Sequence, residues 1–209
     1  NGKKVETFAG NVESATLLQA MLGIQPEDAF PPRQSRTVGK IVLEAKGLTR
    51  RGHVRGIDLT VRQGEILGIT GMVGAGKTEL LRLLFGVDAL DGGGIWIDGK
   101  RITLRRPQDA VAQGIYLVPE ERRKQGLHVE NSVRSNITLP FLQAYSRLRF
   151  ILQSKETAHS RKVIEEVGLQ PPRPEIAVRT LSGGNQQKIV IGKWLGQSGR
   201  YAPRLLLFD

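Results

Sequence analysis

Apolar positions along this chain switch between two spacings, and the switches mark out its elements. Every-second-residue alternation at Ile57, Leu59 and Val61 predicts a strand with one buried face. Segments rich in apolar residues at Ile41–Leu48, Ile66–Ile69, Ile95–Ile97, Ile115–Val118 and Leu205–Phe208 predict further strands. Helical spacing appears after the glycine-rich stretch 71–76, where Leu80, Leu81, Leu83 and Leu84 share one face. It recurs over Glu13–Met21, Val133–Leu139, Phe141–Leu152, Glu156–Val167 and Asn185–Leu195. Gly23, Gly86 and Gly168 read as helix stops, and Pro107 as the first residue of a short helix ending near Gly114. Asp91–Gly94 reads as a turn into Ile95, and Asp98-Gly99 as a hairpin signal.

These elements divide unevenly. Residues 1–30 hold the Asn1-Gly2 turn, a lone alternating stretch Val5–Phe8 and one helix, a strand without a hairpin partner. That is expected of the tail end of a preceding domain. Prolines 26, 31 and 32 with mixed charge make residues 25–40, and 31–40 above all, a linker. From 41 to 209 strands alternate with helices, interrupted by a helix-rich stretch at about 125–180 that Pro171, Pro172 and Pro174 bring to an end. The expectation is an α/β core with a mainly parallel sheet, ligand at the strand ends and a helical subdomain inserted.

Composition narrows the chemistry. The 209 residues contain no cysteine, which excludes disulfides and thiolate metal sites and suits a reducing cytosol. The three histidines, His53, His128 and His159, have no ligand spacing. No run of 18 apolar residues is present to span a membrane. A net charge of +11 invites a nucleic-acid reading, but the few aromatics do not interleave with the basic clusters. No nucleic-acid partner is therefore expected.

Two motifs carry chemistry. Gly71, Met72, Val73, Gly74, Ala75, Gly76, Lys77 and Thr78 fit G-x-x-x-x-G-K-[ST] between an apolar run and an apolar-faced helix. Glycines let backbone N–H groups curl around phosphate, and the helix N-terminus adds positive potential. Lys77 is placed for the β- and γ-phosphates and Thr78 for Mg²⁺, so the loop is expected to bind a nucleoside triphosphate. Ser182, Gly183 and Gly184 open the 185–195 helix; they suit either a second anion site or a plain helix cap.

GMVGAGKT, LSGGNQQK and LLLFD, in that order, resemble the Walker A, signature and Walker B motifs of ABC-type ATPases. GEILGITGMVGAGKTELLRLLFG, IYLVPEERRKQGL and LSGGNQQK with the following KWL resemble more closely one member of that family. This is the second nucleotide-binding domain of the tandem ATP-binding subunit of bacterial monosaccharide importers (the ribose, galactose, xylose and arabinose class). The resemblance covers residues 41–209. It implies a P-loop ATPase core with antiparallel N-terminal strands, and makes residues 1–30 the end of a first such domain.

It further implies ATP and Mg²⁺ as cofactors, with residues 71–78 holding the phosphates of the domain's own ATP. Ser182, Gly183 and Gly184 would reach the ATP of a partner domain in a head-to-tail sandwich. Thr78, Glu120 and Asp209 would serve the metal, and Lys77, Glu120 and Asp209 the catalysis. Implied partners are a second nucleotide-binding domain, transmembrane permease subunits docking near Glu121–Gln125, and indirectly a periplasmic or extracellular sugar-binding protein. The implied location is the cytoplasmic face of the cell membrane. Three departures accompany it. The family's catalytic glutamate would follow Asp209, so residues 1–209 are expected to be inactive alone. Glu120 stands where most of these domains have glutamine, which favours as an alternative a nucleotide-binding but catalytically weak module. No aromatic lies in 49–55, where the family usually stacks adenine, leaving Arg50 or Arg51 to stack there. A DNA-repair ABC ATPase is a more remote alternative, because 79–180 has room only for a compact helical insertion.

Overall fold

The computed structural model describes residues 4–22 and 37–209. Asn1-Gly2, Gly23 and most of the expected linker lie outside them. The chain forms two compact units, 1–37 and 38–209. In the first, helix α1 spans Ser14–Leu22, matching the sequence expectation. Val5–Phe8 is irregular rather than a strand: alternation supplies propensity, but a strand also needs a partner for its backbone groups.

In the second unit, β1 (Ile41–Arg50), β2 (Val54–Arg62), β3 (Gly92–Ile97) and β4 (Lys100–Ile102) form an antiparallel sheet in the order β2-β1-β3-β4. The β3–β4 turn places Asp98 and Gly99 at φ 47° and 75°, as the Asp-Gly hairpin signal requires. Gly92 to Gly94, expected as turn, already belong to β3. Parallel pairing occurs between β5 (Ile115–Val118) and β8 (Leu205–Phe208), in register from Ile115↔Leu205 to Val118↔Phe208.

β5 is buried on both faces, and its period of two separates two cores. Ile115 and Leu117 point into one with β1, β3 and the helix α2 (Lys77–Leu84). Tyr116 and Val118 point into the other with α4 (Val133–Thr138), α5 (Gln153–Glu166) and α6 (Gly183–Leu195). α3 (Pro107–Ala112) leads into β5, with Pro107 at its first position. Trp194 ties α6 to β5: its ring stacks on Tyr116 at 4.7 Å and its indole N–H donates to the Leu117 carbonyl (2.9 Å). Burial pushes the Tyr116 hydroxyl up to about 12.

In the second unit two expected elements differ. The apolar run Ile66–Ile69 is not a strand; Ile66 is 91% exposed, and a cleft of about 790 Å³ lies between this run and β8. Phe141–Leu152 is not a helix either. A 3₁₀ segment, Leu139–Tyr145, is followed by the small hairpin β6 (Ser146–Arg147) and β7 (Phe150–Ile151). Pro140 removes a backbone donor at the start of this stretch, and the turn is made by Leu148 and Arg149 at positive φ.

Arg82 on α2 grips Asp88 with two hydrogen bonds, Nε (2.7 Å) and Nη2 (3.0 Å), and Arg50 at the end of β1 forms an ion pair with the same carboxylate, its Nη1 2.5 Å from Oδ1. This triad fastens α2 to the antiparallel sheet. The Arg82 hydrogen bond, ahead of the Arg50 contact, lowers the Asp88 carboxyl to about 2. A depressed carboxylate stabilises the fold above its unfolded value of 3.8 and ceases to do so as pH falls toward 2. Urea unfolding at a series of pH values is expected to show a loss of about 2 kcal/mol across that window. Asp88→Asn is expected to be less stable at pH 7 and to lack that component of the acid dependence.

Candidate functional site

The glycine-rich loop runs from Gly71 into α2, with Gly76 as its N-cap at φ 85°. That left-handed conformation favours glycine, and a Cβ there would stand 2.6 Å from the His53 carbonyl oxygen. Only a residue without a side chain lets the loop pass this close to the β1–β2 turn. Gly74 is also left-handed, at φ 82°, but faces open space. Ala75 N–H donates to the Met72 carbonyl (3.1 Å), closing the turn, while Met72 and Val73 project outward. Lys77 curls back over the loop and donates from Nζ to the carbonyls of Gly71 (2.8 Å) and Met72 (3.0 Å). Its ammonium therefore sits inside the arc of 71–78, where the motif requires a cation.

Thr78, one residue on, donates from Oγ1 to Asp209 Oδ1 at 2.9 Å, across 131 residues. The joint is built by sheet topology: β8 runs parallel to β5, and Asp209 N–H donates to the Val118 carbonyl (3.0 Å) just past the strand ends. Glu120 leaves β5 at this same carboxyl edge and is exposed. A hydroxyl and a carboxylate in contact form a hard oxygen donor set. Mg²⁺ commonly takes one or two carboxylates, waters and substrate phosphates rather than a full protein cage, and Thr78 and Asp209 fit that pattern.

Ser182 caps α6, its Oγ accepting from the Asn185 N–H at 3.4 Å, so the plain helix-cap reading is realised. Gly184 has no atom within 4 Å of a would-be Cβ, which leaves the backbone at this helix start open to an approaching group. Among the described residues no hydrogen bond joins Ser182, Gly183 or Gly184 to the loop 71–78. The structure thus brings Lys77, Thr78 and Asp209 together, with Glu120 on the same edge, and holds the second motif on a different element.

Of the two residues expected to stack on a base, Arg50 is committed to Asp88. The sequence reading passed over His53. With Gly52 and Arg55 it lines a cavity of about 630 Å³ whose other wall includes Gly74, Gly76 and Lys77. Its signal was position rather than spacing: it is the one ring in the β1–β2 turn. A second feature went unread, a groove of about 1000 Å³ between the two cores. Phe85, Pro119, Gln125, Pro140, Phe141 and Trp194 line it. Its charged residues are Arg82, Lys193 and Arg200, with no carboxylate. Burial lowers the Lys193 ammonium to about 8; it donates to the Gly126 carbonyl (2.6 Å) and lies 4.8 Å from the Trp194 ring centre.

Comparison with known proteins agrees with this geometry. The family described as ABC transporter matches residues 54–209. A ribose import ATP-binding protein of Bacillus licheniformis is 39% identical over 210 residues, covering 100% of this chain and 42% of its own length. One from Rhizobium johnstonii is 42% identical over 193 residues, covering 92% of this chain and 37% of its own length. The chain thus spans about two fifths of these relatives. In fold it is similar to cbiO1 from Clostridium perfringens, part of an ABC transporter complex (TM-score 0.61, 19% identity, 81% of this chain and 65% of that one). It is also similar to a dimeric ATP-binding cassette in a post-hydrolysis state bound to ADP and Pi (TM-score 0.63, 19% identity, 80% and 73%). A glycine loop closed on its lysine, a threonine joined to the aspartate ending a parallel strand, and a family match over three quarters of the sequence lead to one conclusion: the chain belongs to the ABC transporter ATP-binding family.

Proposed function

We propose that this chain binds Mg-ATP in the loop 71–78 and belongs to an ATP-binding subunit that drives uptake of a monosaccharide through separate permease subunits. The observation that carries the nucleotide reading is the Thr78–Asp209 hydrogen bond, which sets a hydroxyl and a carboxylate beside the ammonium of Lys77. In the bound state Lys77 exchanges its loop carbonyls for phosphate oxygens, and the amides of residues 74–78 donate to the same group. Thr78 would hold Mg²⁺ through its hydroxyl oxygen, with the carboxylates of Asp209 and Glu120 serving the same metal. Bound Mg²⁺ would supply neutralisation of the charge that develops as the terminal phosphate is cleaved. The base takes the cavity beside 52–55, with the His53 ring rather than Arg50 as its platform.

The sugar-import part rests on the two relatives described above, both of which carry ribose import in their names. Ser182, Gly183 and Gly184 serve the ATP of a second, head-to-tail nucleotide-binding domain, since they lie off this chain's own loop. The groove lined by Phe85, Phe141 and Trp194 receives the permease; its apolar floor and cationic rim suit an amphipathic segment bearing a carboxylate. Among the described residues no helix is long and apolar enough to cross a membrane, so attachment to the membrane comes through such partners. Glu120 gives a second reading a foothold: a carboxylate accepts hydrogen bonds but does not donate them, which suits a domain that binds nucleotide and turns it over weakly.

Titration calorimetry with Mg-ATP tests the loop. Lys77→Ala is expected to weaken binding at least about 30-fold, the loss of charge-assisted hydrogen bonds to phosphate; equal binding by the variant removes the assignment. The two left-handed glycines give a graded check. Gly74→Ala meets only the backbone strain of about 1 kcal/mol, whereas Gly76→Ala adds a collision with the His53 carbonyl. Gly76→Ala is therefore expected to lose clearly more affinity and melting temperature than Gly74→Ala.

A further inference from the structure

Tyr145 is buried beside His159, and the six residues after it leave the core. They form the β6–β7 hairpin, which is fastened only at its base. Ser146 Oγ donates to the Leu142 carbonyl (2.7 Å), and Leu152 N–H donates to the Tyr145 carbonyl (2.8 Å). Beyond that base three side chains are large and apolar. Leu148 is 84% exposed, Phe150 76% and Ile151 52%, and none of them belongs to either core. Leu148 and Arg149 make the turn at φ 48° and 69°, the left-handed region in which a leucine is strained. Asparagine or glycine would be easier to hold there, yet a leucine is held, and held in water. Single apolar side chains on a surface are ordinary, but an apolar cluster at a strained tip marks a contact surface.

Charge says what the contact is with. Residues 139–164 carry the cations Arg147, Arg149, Lys155, Arg161 and Lys162, against one carboxylate, Glu156. Glu156 is buried and accepts from Thr138 Oγ1 (2.6 Å), so it offers nothing to a partner. All five cations are exposed, and among the described residues only Lys162 has a carboxylate partner, Glu166 at 3.7 Å. Arg147 pairs with Phe150 across the hairpin, which puts a cation and a ring side by side next to the tip. An anionic phospholipid surface answers both halves of this pattern. Its headgroup layer takes the apolar side chains, while long arginine stems keep their guanidinium groups at the level of the phosphates. Residues 139–143, which lead into the hairpin, line the groove assigned above to the permease, so one continuous stretch presents both. We propose that the β6–β7 hairpin is a lipid-contact tip, with Leu148 and Phe150 entering the headgroup layer of an anionic membrane and Arg147 and Arg149 binding its phosphates. Only the orientation of the tip toward the membrane rests on the permease reading; the contact with lipid does not.

Sedimentation of the full-length protein with vesicles tests the tip, using phosphatidylcholine with an equal part of phosphatidylglycerol against phosphatidylcholine alone. The wild type is expected to bind the anionic vesicles at least about 10-fold more tightly. Leu148→Asn puts a residue that tolerates left-handed backbone at φ 48°, so the melting temperature is expected to hold or rise. Combined with Phe150→Ser, it is expected to weaken binding to anionic vesicles at least about 10-fold. Arg147→Gln with Arg149→Gln is expected to cost about 5-fold for each charge. Lys100→Gln with Arg173→Gln removes the same charge from exposed positions elsewhere and is expected to cost less than about 2-fold. Equal losses in the two charge-matched pairs would reduce the effect to net charge and overturn the proposal. So would equal binding of the wild type to both kinds of vesicle. Wild-type binding by Leu148→Asn with Phe150→Ser also overturns it, and if that variant then fails to associate with permease subunits, the tip is a protein contact. Mg-ATP affinity of the same variants is expected to match the wild type, so failure of the tip and failure of the nucleotide reading are told apart.

Discussion

One hydrogen bond holds the functional arrangement together, Thr78 Oγ1 to Asp209 Oδ1. It joins the first turn of α2 to the end of β8, two places that the chain separates by 131 residues. Neither residue has a metal or phosphate role alone: a threonine at a helix start is a common cap, and an exposed aspartate past a strand end is ordinary surface. Their contact exists because β8 pairs in parallel with β5, which sends both strand ends to the same edge as the loop. Parallel pairing requires a long crossover, and here the crossover contains the helical subdomain and α6. The topology that builds the site thus also delivers the second motif.

β5 joins the two halves of that design. Its two faces belong to different cores, so a four-residue strand bonds the antiparallel sheet and α2 on one side to the helical elements on the other. Trp194 and Tyr116 reinforce the second face by stacking, and the Trp194 indole spends its donor on the strand's own backbone. Immediately beyond β5 the chain passes Glu120 and enters the turn Arg122–Gly126, which packs along α6.

Much of this was legible in the sequence, and the reasons differ by element. β5 matched the expected limits because a short apolar run bounded by Gly114 and Pro119 leaves little choice, and β8 because its apolar run is bounded by the charged Arg204 and Asp209. α2 and α6 were marked by apolar spacing and a glycine-rich start. Ile66–Ile69 had the composition of a strand but no partner along its edge in this structure, and backbone pairing is a tertiary fact that local pattern does not contain. The β6–β7 hairpin was hidden because Leu148 and Arg149 occupy left-handed positions where asparagine or glycine would have announced a turn. At the site, Lys77, Thr78 and Asp209 were legible as motif residues. His53 was not, since it matters through the loop 74–77, far away in sequence.

The central claim is that residues 71–78 and Asp209 together receive a magnesium-bound polyphosphate. A crystal structure of the protein with Mg²⁺ and a non-hydrolysable ATP analogue tests it most directly. The account predicts phosphate oxygens on the amides of 74–78, the Lys77 ammonium moved from the Gly71 and Met72 carbonyls onto phosphate, and the metal on Thr78 Oγ1 beside Asp209. Nucleotide bound elsewhere, with Lys77 still on its loop carbonyls and Thr78 still bonded to Asp209, would contradict it.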